Sequence, residues 1–198
     1  MPPLPGERGM DRYVTLNGEG QATLRERASR FIGIAFPIAN ETAFKERLAQ
    51  IARAHHASRH HCYGWVLGED GSNTRANDAG EPAGTAGRPI LRRIQLMDLT
   101  FTAVVVVRYF GGTLLGKGGL VHAYAESARE ALAKNTVVER VVRTSLRIQC
   151  TYALVEGIKN DVAKCEGEML AAEYAERCDL VVAIAMSHVP AFTIRWER

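Results

Sequence analysis

The chain has 198 residues, 46% of them hydrophobic and 24% charged, a balance typical of a globular protein with one core and room for a small companion domain. Its 25 lysines and arginines against 22 aspartates and glutamates give a net charge of only +3, which falls short of a dedicated DNA-binding domain. Uncharged apolar runs stay below the roughly 18 residues that a membrane span needs, so no membrane association is expected.

The four cysteines are Cys62, Cys150, Cys165 and Cys178, and their wide spacing matches neither a zinc site nor a compact disulfide framework. The first residues lack the apolar core of a secretion signal. Together these features predict reduced thiols in the cytoplasm. His60 and Cys62 would share one strand face, but a third ligand at suitable spacing is missing, so the sequence predicts no metal site and indicates no cofactor.

The first predicted elements lie in the N-terminal third of the chain. Residues 1–24 begin with prolines and glycines and are predicted to form a flexible segment. Alternating apolar residues predict a strand over residues 25–37, and Asn40 then caps a helix that runs to about His56. Another strand is predicted over residues 59–67.

A polar, glycine-rich loop follows over residues 68–86. It contains Asp78 and Glu81 in the stretch NDAGEP, whose residue types are those that tight turns require. The alternative interpretation is a rigid acidic loop beside a functional surface. The loop leads into a predicted helix that begins at Arg88 and carries Arg92 on a basic flank, where such arginines are either solvated or in contact with phosphate.

The stretch TAVVVVRYFGGTLLGKGGLVHAYAESAREALAK at residues 102–134 is the centre of the predicted fold. Its valine run predicts a strand covered on both faces, and helical spacing of apolar residues follows the turn. Between them, Gly111–Gly112 and Gly118–Gly119 allow close backbone approach, and the second pair would offer free N–H groups at a helix start. With Arg108 and Lys117 beside it, this turn is a predicted anion site, although it matches no known phosphate-loop pattern.

A second, smaller unit is predicted after residue 143. Alternation predicts a strand over residues 146–152, and a helix follows over residues 154–167. Two further strands, at residues 169–174 and 178–186, are predicted to form a hairpin. The remaining residues are too few for a full helix followed by a full strand, so the unit is expected to be shortened.

Two long motifs carry a family resemblance. RYFGGTLLGKGGLVHAY and NDAGEPAGTAGRPIL, preceded by SRFIG, resemble the signatures of the IMPACT/YigZ family in the same order. The resemblance covers roughly residues 26–142 well and the remainder weakly.

The order of the predicted elements and the resemblance together imply an α+β fold. Residues 25–143 are expected to form a two-layer α/β sandwich with helices on one face. The resemblance implies that this sandwich is of the ribosomal-protein and GHMP-kinase type, with a left-handed βαβ crossover against the usual right-handed preference. It also implies that residues 144–198 form a small, shortened ferredoxin-like domain, akin to a domain of elongation factor G.

Two classes of function remain open. The first is a binding protein, translation-linked as the resemblance implies, that engages RNA or a ribosome- or translation-factor-like protein through the glycine-rich basic turn. Its candidate nucleic-acid- or anion-binding residues are Arg88, Arg92, Arg108, Tyr109, Gly111, Gly112, Lys117, Gly118 and Gly119. The second is a small-molecule or phosphate-ester enzyme that uses Asp78 and Glu81 as cleft acids beside Gly118–Gly119. Because no nucleophile–base pair is recognisable, the sequence assigns no catalytic residue and favours binding.

Overall fold

The computed structural model describes residues 11–196, which form two compact units. One unit comprises residues 13–139, and the other comprises residues 11–12 and 140–196. The units divide between Glu139 and Arg140, and the domain boundary after residue 143 stays a prediction. Helices and antiparallel sheets confirm the predicted α+β class.

Helices separate single strands or short runs of strands along the described residues. The strands are β1 Arg12–Leu16, β2 Gly20–Glu26, β3 Ser29–Pro37, β4 His60–Leu67, β5 Asn73–Asn77, β6 Thr102–Tyr109, β7 Val137–Val141, β8 Arg143–Cys150, β9 Glu168–Glu173 and β10 Cys178–Ala185. The helices are α1 Glu41–Ala54, α2 Gly87–Leu96, α3 Gly116–Ala133, α4 Val155–Lys164 and α5 Val189–Trp196. Residues 1–10 of the predicted flexible segment lie outside the described residues. Within residues 11–24, β1 and the start of β2 replace that segment, and the turn signal of Asn17–Gly18 separates the two strands.

A five-stranded antiparallel sheet of order β2-β3-β6-β4-β5 organises the larger unit. Its central strand, β6, contains the valine run, and Val104 to Val107 are completely buried as the sequence predicts. Val105 lies opposite Ile34 of β3 and Tyr63 of β4. Because β3 and β4 are both antiparallel to β6, they run parallel to each other, and α1 connects them. The left hand of this crossover stays a prediction.

Helices cover both faces of this sheet. On one face, Phe44 and Ile51 of α1 pack in a buried cluster with alternate strand residues such as Val105. On the other face, helices α2 and α3 pack over Val104 and Val106. The larger unit therefore has one helical layer more than the predicted two-layer arrangement, because strand residues that are apolar on both faces need cover on both.

The smaller unit has a three-stranded antiparallel sheet of order β8-β10-β9. The predicted hairpin is confirmed, since β9 and β10 are neighbours in this sheet. Ile158 of α4, Leu180 of β10 and Phe192 of α5 share its core. Pro190 lies in the first turn of α5, where a missing N–H does no harm. The ferredoxin-like assignment of this unit stays a prediction.

No helix within residues 11–196 is both long and apolar enough to cross a membrane. Over the same residues there is no group of three or more histidine, cysteine, aspartate or glutamate side chains suited to a metal ion.

Candidate binding site

The two glycine-dense stretches of the chain meet at the end of β6. Glu81 comes from the loop between β5 and α2, and Arg108 is the penultimate residue of β6. Arg108 Nη1 lies 2.7 Å from Glu81 Oε1, and the two side chains are only 6% and 4% exposed. Glu81 therefore lies against the cation that directly precedes the glycine-rich turn.

A small buried network surrounds this ion pair. Tyr124 of α3 donates its hydroxyl proton to Glu81 Oε1 at 2.7 Å, so one carboxylate oxygen accepts from two donors. Arg108 also donates from Nη2 to Ser29 Oγ at 3.4 Å. Its guanidinium carbon lies 5.4 Å from the ring centre of Phe31 and 5.3 Å from that of Phe110. Buried charges are tolerated when they are paired and hydrogen-bonded in this way. Through these contacts Glu81 connects its own loop to β6 and to α3.

The carboxylate of Asp78 holds the acidic loop together through hydrogen bonds to its backbone. Its Oδ1 accepts from the backbone N–H groups of Ala86 and Gly87 at 2.9 and 2.8 Å, and its Oδ2 accepts from Gly84 at 2.8 Å. Ala86 caps α2 without a side-chain hydrogen bond of its own, so Asp78 supplies the missing acceptor. Burial alone would raise the pKa of Asp78, but these N–H groups and the nearby charge of Arg88 outweigh it and hold that pKa below its ordinary value.

Cys62 lies behind the acidic loop and is fully buried. Its thiol donates to the carbonyl oxygen of Asp78 at 3.0 Å. Burial raises the pKa of Cys62 to about 12, and burial likewise raises the pKa of the neighbouring Tyr124 hydroxyl. Both groups therefore stay protonated near neutral pH, and the thiolate that nucleophilic chemistry needs is not formed.

A cavity of about 610 Å³ opens beside the Glu81–Arg108 pair. Its wall includes Arg59, which directly precedes β4, His60, the first residue of β4, and the turn residues Phe110 and Leu114. Phe110 is 53% exposed and Leu114 is 80% exposed, so apolar groups face solvent at its rim. His60 is fixed by a contact of 3.0 Å between its Nδ1 and the carbonyl oxygen of Ala79. The cavity thus combines cationic, aromatic and apolar walls.

Only some of the predicted aromatic and arginine residues line the cavity. Tyr109 lines the cavity, with its hydroxyl 2.9 Å from His55 Nδ1 and its ring beneath the guanidinium of Arg30. Arg108 also lines the cavity, but Glu81 already matches its charge. Arg88 and Arg92 are exposed on α2 and do not contribute to the cavity wall.

The predicted glycines have separate structural roles. Gly111 packs against the backbone of Ala28 so closely that a Cβ atom there would overlap the Ala28 carbonyl group. Gly112 has a φ angle of +86°, which favours glycine. Gly118 has open space around it, whereas a Cβ at Gly119 would lie 3.0 Å from Leu115 Cβ. These last two glycines lie in the first turn of α3 beside the exposed Lys117, as the sequence predicts.

Sequence reasoning missed Tyr124 and Ser29 as polar partners and His60 and Leu114 as cavity residues. In the sequence, Tyr124 is one of the residues at helical spacing that follow the turn. Its polar role could have been predicted, because a tyrosine hydroxyl within a buried stripe usually has a hydrogen-bond partner.

The fold and this site together define an α+β protein with two units, whose larger unit joins a glycine-rich turn and an acidic loop around one cavity. A family model described as the Impact N-terminal domain matches residues 27–132. The chain belongs to the IMPACT family.

Curated relatives agree with this assignment. The IMPACT family member YigZ of Escherichia coli (strain K12) is 35% identical over 169 residues, which cover 84% of this chain and 83% of that protein. The IMPACT family member YvyE of Bacillus subtilis (strain 168) is 32% identical over 181 residues, which cover 91% of this chain and 83% of that protein. A solved crystal structure of a hypothetical protein is 32% identical, with a TM-score of 0.71 over 94% of this chain and 91% of that one.

Proposed function

We propose that the chain is a cytoplasmic, translation-linked binding protein that takes up single-stranded RNA in the cavity beside the glycine-rich turn. The observation that carries this proposal is the shared wall of Arg59, Tyr109 and Phe110 around a cavity of about 610 Å³. Exposed bases stack on aromatic rings, and cationic side chains hold the phosphates between them.

The turn itself adds to this surface. The first turn of α3 has no capping side chain, and Lys117 stands exposed within it. Arg27 donates to the carbonyl oxygen of Leu114 at 3.0 Å and so brings a further positive charge to the same turn. Positive charge and free N–H groups at a helix start favour an anion, which supports a phosphate position next to the cavity.

The state of the acidic residues favours binding over catalysis. Glu81 accepts from Arg108 and Tyr124, and Asp78 accepts from three backbone N–H groups. A general base must be able to take a proton from a substrate, and both carboxylates are already committed to donors of the protein itself. The alternative of a phosphate-ester enzyme based on these two acids therefore has less support.

Fluorescence anisotropy with a labelled single-stranded RNA tests the proposal. Lys117→Ala and Arg59→Ala should each weaken binding about equally across sequences and lower the magnitude of the log–log salt slope by roughly 0.7 per lost phosphate contact. Lys134→Ala is the matched control, because Lys134 is an exposed lysine at the opposite end of the same helix. This control variant should bind like the wild type.

Phe110→Ala separates stacking from charge. Loss of one stacked base should weaken RNA binding by roughly 1–3 kcal/mol and leave the salt slope unchanged. If the wild-type protein has no affinity for RNA at low salt, or if Lys134→Ala weakens binding as much as Lys117→Ala does, the proposal is wrong and a protein partner takes its place.

A further inference from the structure

Strand β8 lies at an edge of the three-stranded sheet in the smaller unit. It pairs with β10 along its whole length, from Arg143 opposite Ala185 to Cys150 opposite Cys178. Within residues 11–196, no other strand pairs with its second side. An edge strand of eight residues without a bulge or proline exposes a row of N–H and C=O groups that can pair with another strand.

A slot runs along this edge. A cavity of about 210 Å³ is lined by the four consecutive β8 residues 146–149 and by Phe192, Thr193 and Trp196 of α5. Consecutive strand residues point to opposite faces of a sheet, so all four can line one cavity only where it opens at the strand edge.

We propose that the slot binds β8 of a second copy of this chain, as an antiparallel strand pair with a two-fold axis normal to the sheet. Such an axis places odd-numbered residues opposite odd-numbered residues and even-numbered residues opposite even-numbered ones. Three registers lie near the middle of β8, in which Ser145, Leu146 or Arg147 lies opposite its own copy.

In the register centred on Arg147, the Arg147 side chains of the two copies lie opposite each other. In the register centred on Ser145, Arg143 of each copy lies opposite Arg147 of the other. Asp179 and Glu168 of the same chain already pair with Arg147 and Arg143, which reduces the repulsion but does not remove it. Like charges directly opposite each other destabilise a strand pair, so both registers are disfavoured.

The third register, centred on Leu146, is self-complementary. It places Arg147 opposite Ser145 of the second copy, Arg143 opposite Gln149, and Thr144 opposite Ile148. The two Leu146 side chains meet at the axis, on the face where Leu146 and Ile148 are half-buried against the core of the unit. In this register no arginine of one copy lies directly opposite an arginine of the other, so β8 is complementary to itself and a second copy is the partner that fits it.

The opposition of Ser145 and Arg147 gives a test by charge sign. Both residues are exposed, so substitutions at position 145 leave the core of the unit intact. Ser145→Glu should tighten the dimer, and Ser145→Arg should weaken it. Each pair occurs twice by symmetry, so each variant should change the dissociation constant by roughly two- to thirty-fold.

The measurement is sedimentation equilibrium of the full chain over a concentration series. Ala171→Glu and Ala171→Arg are the matched controls, because Ala171 is exposed on β9 and lies across β10 from Arg147 on the same sheet face. These control variants should dissociate like the wild type. A wild-type mass of one chain at every concentration would overturn the proposal, as would a shift in the same direction for both charges at position 145 or an equal response at position 171.

Discussion

Arg108 and Glu81 form an ion pair with Nη1 and Oε1 2.7 Å apart, although 27 positions separate the two residues in sequence. The pair is almost completely buried, so its two charges depend on each other and on Tyr124 rather than on water. The arginine that ends the central strand is thus a structural cation as well as part of the cavity wall.

The buried ion pair should be costly to break from either side. Arg108→Ala or Glu81→Ala leaves one buried charge unpaired and should lower the free energy of unfolding by about 3–5 kcal/mol. The double variant should cost less than the sum of the two single variants, because neither charge then remains alone. Urea denaturation measures these values. Arg75→Ala is the control, since its ion pair with Glu41 is exposed and should contribute no more than about 1 kcal/mol.

The two glycines of the turn that differ most in their surroundings should respond in opposite ways to alanine. Gly111→Ala forces a Cβ into the Ala28 carbonyl group and should destabilise the protein by about 2 kcal/mol. Gly118→Ala places a Cβ in open space within a helix and should be neutral or stabilising by up to about 1 kcal/mol. Thermal and urea unfolding distinguish the two. Equal destabilisation by both variants would contradict the packing described for Gly111.

Asp78 should make the stability of the acidic loop dependent on pH. Because its folded pKa lies below the ordinary value of 3.8, its contribution is fully present above that value and is lost as the pH falls through the folded pKa. Asp78→Asn should therefore be destabilised by about 2 kcal/mol at neutral pH, and the difference from the wild type should shrink on acidification. Urea titrations over a pH series measure it, and a difference that stays constant with pH would argue against the charged carboxylate as the cause.

The cysteines should react with a thiol reagent in an order set by burial. Cys62 is fully buried and its pKa is raised to about 12, so it should stay unmodified in the native protein. Cys165 is only partly buried and should react first. Mass spectrometry after a timed reaction with a disulfide reagent identifies the modified residue, and all four thiols should react once the chain is unfolded. Early modification of Cys62 in the native protein would contradict this order.

Local patterns were sufficient to predict several elements. The valine run of β6, the helix capped by Asn40 and the hairpin of β9 and β10 each have a periodicity that belongs to one secondary structure. Asn40 indeed accepts from the backbone N–H of Ala43 at 2.9 Å. Side-chain alternation and capping are short-range properties, so one sequence suffices to recognise them.

The partners of Arg108 were not predictable by the same means. An arginine at the end of a strand usually reaches solvent, and only the pairing of β6 with its neighbours places Glu81 and Tyr124 around it. Asp78 gives a second example. The composition of the turn does not reveal that Asp78 accepts hydrogen bonds from backbone N–H groups while Glu81 pairs with an arginine. These choices depend on distances between elements far apart in the chain.

The central place of β6 in the sheet also determines the order in which the protein can assemble during synthesis. Strands β2 and β3, and then β4 and β5, are neighbours both in the chain and in the sheet, so each pair can form once its two strands have left the ribosome. The two pairs have no strand in common until β6 arrives, because β3 and β4 are joined only through it. Until residue 109 emerges, the apolar edges of both hairpins stay open and Glu81 has no cation. Because β6 must join two hairpins made earlier in the chain, we expect folding to be slow and the open strand edges to be prone to aggregation until β6 has paired.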